Sequence, residues 1–126
     1  MIGTVLDTEV VIHGLCQYGP GTRLMRAALA GGFVPITTPL LLDDLLRALR
    51  RRELRGAFPR PARLVALLRD ASLVIEPPGV VQTGHGAAAD HLLDTAQAAG
   101  ADYLATWHAD LLRLGTHGST RIVRPV

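Results

Sequence analysis

Residues 90–112 read DHLLDTAQAAGADYLATWHADLL, which packs a helix, a break and a buried strand into one short stretch with an acid at each end. The expected helix starts at Asp90 and stops at Gly100. YLAT (103–106) is the strand, and ADLLRLG (109–115) is a second short helix closed by Gly115. A helix with carboxylates near its start, followed by a strand that delivers another carboxylate just past its tip, brings separated charges together.

The same alternation runs outward through the chain. IGTVL (2–6) is a short apolar run that ends abruptly at Asp7 and reads as a buried strand. Asp7 or Thr8 can then cap a helix through VVIHGL, and Gly19, Pro20 and Gly21 break the chain. Leu24, Ala27 and Ala28 give a helical pattern from Thr22 to the Gly31-Gly32 pair. FVPIT (33–37) reads as a second strand, and Pro35 places it at an edge or a strand end. Thr38-Pro39 is an N-cap followed by proline at the first helical position, and the leucine stripe from Leu41 to Leu49 carries that helix to about Arg52. Pro59 and Pro61 open a helix, ARLVALLRD, SLVIE (72–76) is strand-like, residues 77–89 read as a loop, and RIVRPV (121–126) supplies a last strand. Strands alternating with helices predict an α/β fold, one domain over 1–126, with a central and mainly parallel β-sheet flanked by helices.

Composition narrows the chemistry. Apolar residues make up 48% of the chain and aromatics 4%, so the core must be filled by Leu, Val, Ile and Ala. The sequence holds no lysine, which excludes a P-loop and any mechanism that needs a lysine amine. Eight of the thirteen arginines fall between Arg47 and Arg69, and clustered guanidinium forks suit phosphate. A solvated helix face accounts for the same run equally well. Cys16 stands alone, so no intrachain disulfide can form. The opening MIGTVLD is too short an apolar run for a signal peptide, and no segment has membrane-spanning length, so a soluble cytoplasmic protein is expected. The five histidines form no metal motif, and Ser72 and Ser119 lie in no nucleophile setting.

In an open parallel sheet, sites form beyond the carboxyl ends of the strands. Asp7 follows the first strand directly and Asp110 lies four residues past YLAT, so both project toward that edge. Helices starting there can add Asp44 and Asp90. Each has a plain structural alternative: Asp7 and Asp90 as helix N-caps, Asp44 beside Asp43 as part of a solvated ion-pair face. Asp94, one turn after Asp90, is a secondary candidate. Carboxylates that converge repel unless a cation offsets them, and oxygen-only ligands select Mg2+ or Mn2+ over zinc.

These residues resemble the PIN-domain ribonucleases. VLDTEVVIHGL (5–15) is similar to the family's opening strand with its first catalytic aspartate, TPLLLDDLLRALRR (38–51) to its acidic helix, DHLLDTAQAAGADYLATWHADLLRLG (90–115) to its most recognisable block, and RIVRP (121–125) to its closing strand. The nearest flavour is the VapC-like toxin component of bacterial toxin–antitoxin pairs. The resemblance implies a PIN-like three-layer domain and a catalytic quartet of Asp7, Asp44, Asp90 and Asp110, with Asp7, Asp90 and Asp110 on the metal. It also implies that the Thr106 hydroxyl orients ligands or water. Supporting positions are Asp94, His108, Glu9 and Asp43, the last being the other register choice for Asp44. The chain departs from the family at three places: Glu9 stands where asparagine is usual, His108 where aspartate or asparagine is usual, and GAAAD replaces an acid-rich run before Asp90.

The leading expectation is a divalent-metal-dependent endoribonuclease that cleaves single-stranded RNA, the toxin of a toxin–antitoxin pair, with Mg2+ or Mn2+ as cofactor. Arg47, Arg50 and Arg51 would hold the RNA backbone, and a homodimer and an antitoxin protein are the expected protein partners. The alternative is a catalytically degenerate PIN-like protein that acts as a binding or dimerisation module, motivated by Glu9, His108 and the missing acids. A phosphatase or phospho-acceptor, suggested by DTEV, fits poorly in a chain without lysine.

Overall fold

A computed structural model describes residues 1–16 and 20–125. The expected break at Gly19 lies outside the described residues, and the last strand, expected over 121–126, ends at Val123. Six strands, β1 (Gly3–Leu6), β2 (Val34–Thr37), β3 (Leu73–Val74), β4 (Tyr103–Ala105), β5 (Thr116–His117) and β6 (Thr120–Val123), form one sheet in the order β3-β2-β1-β4-β6-β5. All pairs are parallel except β5 with β6. The helices are α1 (Thr8–Leu15), α2 (Pro20–Leu29), α3 (Pro39–Leu49), α4 (Pro61–Ala71), α5 (Ala87–Ala99) and α6 (Ala109–Leu114). The fold is the α/β architecture expected from the alternating pattern.

Alternation along the strands splits the core in two. Val5, Ile36, Leu104 and Ile122 face Leu92, Leu93 and Ala96 of α5 and Leu111 of α6. Leu6 and Ala105 face the other way, toward Val10 and Val11 of α1, Met25 of α2, Leu45 and Leu49 of α3 and Val65 and Leu68 of α4. Both faces of the sheet are therefore covered, which parallel strands require.

Several boundaries move, each for a local reason. β2 is an inner strand between β1 and β3, contrary to the edge placement that Pro35 suggested. Val34 donates its N–H to Ile2 on the β1 side, so the Pro35 nitrogen turns to the β3 side. There β3 begins only level with Ile36, and no hydrogen bond is forfeited. The strand expected over 72–76 shrinks to two exposed residues. The helix expected from Asp90 begins at Ala87, because three alanines of high helix propensity extend it back to Gly86, whose φ of 105° suits only glycine. α3 ends at Leu49, with Arg50 as its cap, so Arg51 and Arg52 lie in the turns beyond it. Gly118, at φ 58°, turns the β5–β6 hairpin, which the sequence reading did not anticipate.

Strand numbering reverses direction between β1 and β4, so a crevice opens beyond the carboxyl ends of these two strands. Asp7 and Thr106 stand at its base.

Candidate functional site

Asp7 occupies the N-cap of α1, yet its side chain caps nothing. Its backbone N–H donates to Ala105 O at 3.1 Å, continuing the β1–β4 ladder, and its Oδ2 accepts from Thr106 Oγ1 at 2.7 Å. Thr106 is fully buried, and its oxygen also accepts the His108 N–H at 3.0 Å. One hydroxyl therefore aims the Asp7 carboxylate and shapes the turn after β4. His108 N-caps α6 without a side-chain bond, and its buried Nδ1 has no hydrogen-bond partner.

Asp7 opens onto a cleft of about 400 Å3 between α1, α3 and α5. Glu9, Asp44, Arg47, Arg51 and His91 share its lining. Asp44 pairs with Arg47, three residues on along α3, and Arg51 reaches Glu9 at 3.6 Å. These pairs are exposed, so each contributes a few tenths of a kcal/mol at most. Their effect is positional, since they set two guanidinium groups over the acids. Arg50 and Asp43 are exposed and outside the cleft lining.

The other two members of the quartet are engaged elsewhere. Asp90 accepts from both the backbone N–H and the hydroxyl of Thr83. Asp110 takes Arg113 at 2.8 Å, with His85 Nδ1 at 3.7 Å. Asp94, only 3% exposed, accepts from Gly79 N–H at 2.6 Å and Val80 N–H at 3.3 Å. Thus Asp7 and Asp44 line one cleft, while Asp90 and Asp94 hold the segment between β3 and α5. Among the described residues no three His, Cys, Asp or Glu side chains are grouped so as to hold a metal ion. As arranged, each acid being matched to a separate donor, the side chains do not fit a shared divalent cation.

His91 is the cleft residue that the sequence reading passed over. Thr38, fully buried, accepts the Leu41 N–H at 3.1 Å to cap α3 and shares a 2.7 Å hydrogen bond with His91 Nε2. The available signal was its position beside Asp90 in the first turn of a helix that starts at the carboxyl edge of the sheet. Burial lowers its pKa from the ordinary 6.5, opposed by Asp94 and then Asp44. A histidine kept neutral by folding binds fewer protons in the folded state, so its contribution is complete above the ordinary pKa and declines as the pH falls below it. Urea unfolding between about pH 7 and pH 5 is expected to show stability decreasing with acid, with a shallower slope in His91→Gln. An identical slope in the two proteins would contradict that assignment.

An acid-lined cleft at the switch point of a three-layer, mainly parallel sheet defines the class. The sequence profile of the PIN domain matches residues 3–110, and the chain belongs to the PIN-domain family. Neither a curated protein nor a solved structure matches it. Among the described residues no helix is long and apolar enough to cross a membrane.

Proposed function

We propose that this chain is a PIN-domain binding protein of the cytoplasm that holds single-stranded RNA across the arginine-bearing mouth of the cleft without cleaving it. The observation that carries this reading is the separate engagement of the acids, Asp44 by Arg47, Asp90 by Thr83 and Asp110 by Arg113. Arg47 and Arg51 sit over the cleft, while Arg50, Arg52 and Arg55 continue an exposed basic surface beyond it. Phosphate contacts from such groups position a nucleic acid without reading its bases.

Metal-dependent cleavage is the second reading, favoured by the Thr106–Asp7 hydrogen bond and by Asp44 in the same cleft. In it Asp7, Asp90 and Asp110 would hold Mg2+ or Mn2+ once Asp90 and Asp110 had parted from Thr83 and Arg113, and the protein would be a toxin with an antitoxin partner and a homodimeric state.

Fluorescence anisotropy with a labelled single-stranded RNA, run with EDTA and with Mn2+, separates the two. The binding reading expects equal affinity in both conditions, intact RNA on a gel, and no heat of Mn2+ binding by calorimetry. RNA cut with Mn2+ by the parent protein but not by Asp7→Asn would overturn it in favour of the nuclease.

A further inference from the structure

The chain has one tryptophan, Trp107, and it lies just past β4 at the carboxyl edge of the sheet. Trp107 follows Thr106 directly, so the indole stands at the same carboxyl edge of β4 from which Thr106 holds Asp7. It is half-buried, with part of its surface packed against the core formed by α1 to α4. The His13 ring lies against it at 4.7 Å between centroids, tilted by 59°. The rest of the indole borders a separate depression of about 330 Å3 whose cations are Arg113 and Arg124. The remaining lining, Ala109 and Leu112, is aliphatic and uncharged. Arg113 extends from its pair with Asp110 into solvent, and Arg124 forms no ion pair among the described residues.

An aromatic side chain that shares a depression with two arginines is complementary to a nucleotide, with the base on the ring and the phosphate at the arginines. An apolar peptide would leave Arg124 without a counter-charge, and a bare anion would make no use of the indole. We propose that Trp107 is a stacking platform for one base of a single-stranded RNA, with Arg113 and Arg124 contacting its phosphates. This rests on the RNA-binding reading above and extends the bound strand from the cleft to a second site past β4. Because every base has a π-face, the platform accepts any sequence.

The single tryptophan reports on its own site. The protein is titrated in EDTA with short oligouridylate and oligoadenylate, following tryptophan emission, and in parallel with the labelled RNAs, following anisotropy. Tryptophan quenching is expected to saturate at the same RNA concentration as the anisotropy. Inorganic polyphosphate, which carries charge but no base, is expected to compete with RNA without quenching. Trp107→Leu is expected to weaken RNA binding roughly tenfold, while Trp107→Phe, which keeps a ring, stays within about threefold of the parent. Anisotropy that rises with no change in tryptophan emission, or quenching by polyphosphate equal to that by RNA, overturns the platform and leaves RNA binding standing. Anisotropy that stays flat overturns both. The parent titration needs no variant, so a Trp107→Leu protein that fails to fold does not remove the test.

Discussion

Leu104→Ala is expected to lower the free energy of unfolding by about 3 to 4 kcal/mol, within the range for leucine truncation at fully buried sites. Leu104 has no exposed surface and lies on β4, between β1 and β6. It belongs to the same cluster as Val5, Leu93, Ala96, Leu111 and Ile122. Hydrogen bonding on both sides holds β4 in place, so the neighbours cannot close in on the space left by the missing carbons. The loss is a large share of the roughly 5–15 kcal/mol that stabilises an ordinary domain. Leu67→Ala is the internal control, because Leu67 is 62% exposed on α4 and its truncation is expected to cost less than about 0.5 kcal/mol. Urea unfolding of the three proteins measures both differences. A Leu104→Ala protein within about 1 kcal/mol of the parent would mean that β4 is not at the centre of the core.

Asp94→Ala is expected to cost about 2 kcal/mol and to release the segment before α5. The carboxylate is buried and accepts two backbone N–H groups, from Gly79 and Val80, which lie 15 and 14 positions earlier in the chain. Asp90, one turn earlier on the same helix, holds Thr83 in the same segment. Two acids on one helix face therefore anchor the connection at two points, and the repulsion expected at that spacing is offset because each has donors of its own. Truncation at Asp94 leaves those amides to water and frees residues 77–82 for proteolysis. Asp94→Asn keeps an acceptor oxygen and is expected to recover part of the loss. Equal stability and equal resistance to a broad-specificity protease in the alanine variant would refute the anchoring role.

Much of the architecture was legible because it rests on local signals. Thr38-Pro39 starts α3 where an N-cap and a first-turn proline place it, with Thr38 Oγ1 accepting from Leu41 N–H. Gly100, in the left-handed region at φ 60°, closes α5 as the expected stop. Leu67 and Leu68 show the limit of periodicity: adjacent leucines in one helix, one exposed and the other buried, are told apart only by where α4 rests on its neighbours. Pro35 misled because a missing N–H matters only on the side where a partner strand runs alongside it.

The site divides along the same line. That Asp7 stands at the end of a strand and Asp90 in the first turn of a helix follows from the order of apolar runs, capping residues and glycines, which act within a few residues. Asp44 and Asp110 meet arginines three residues on along their own helices, but the donors of the other acids depend on chain brought back from farther away. Thr106 reaches Asp7 across 99 positions, Asp94 meets Gly79 across 15, and Arg51 reaches Glu9 only because α1 and α3 line the same cleft. A sequence pattern can put four acids at one edge of a sheet. Whether they face one another or four separate partners is decided by side-chain rotamers and loop path, and these exist only once the tertiary structure has closed.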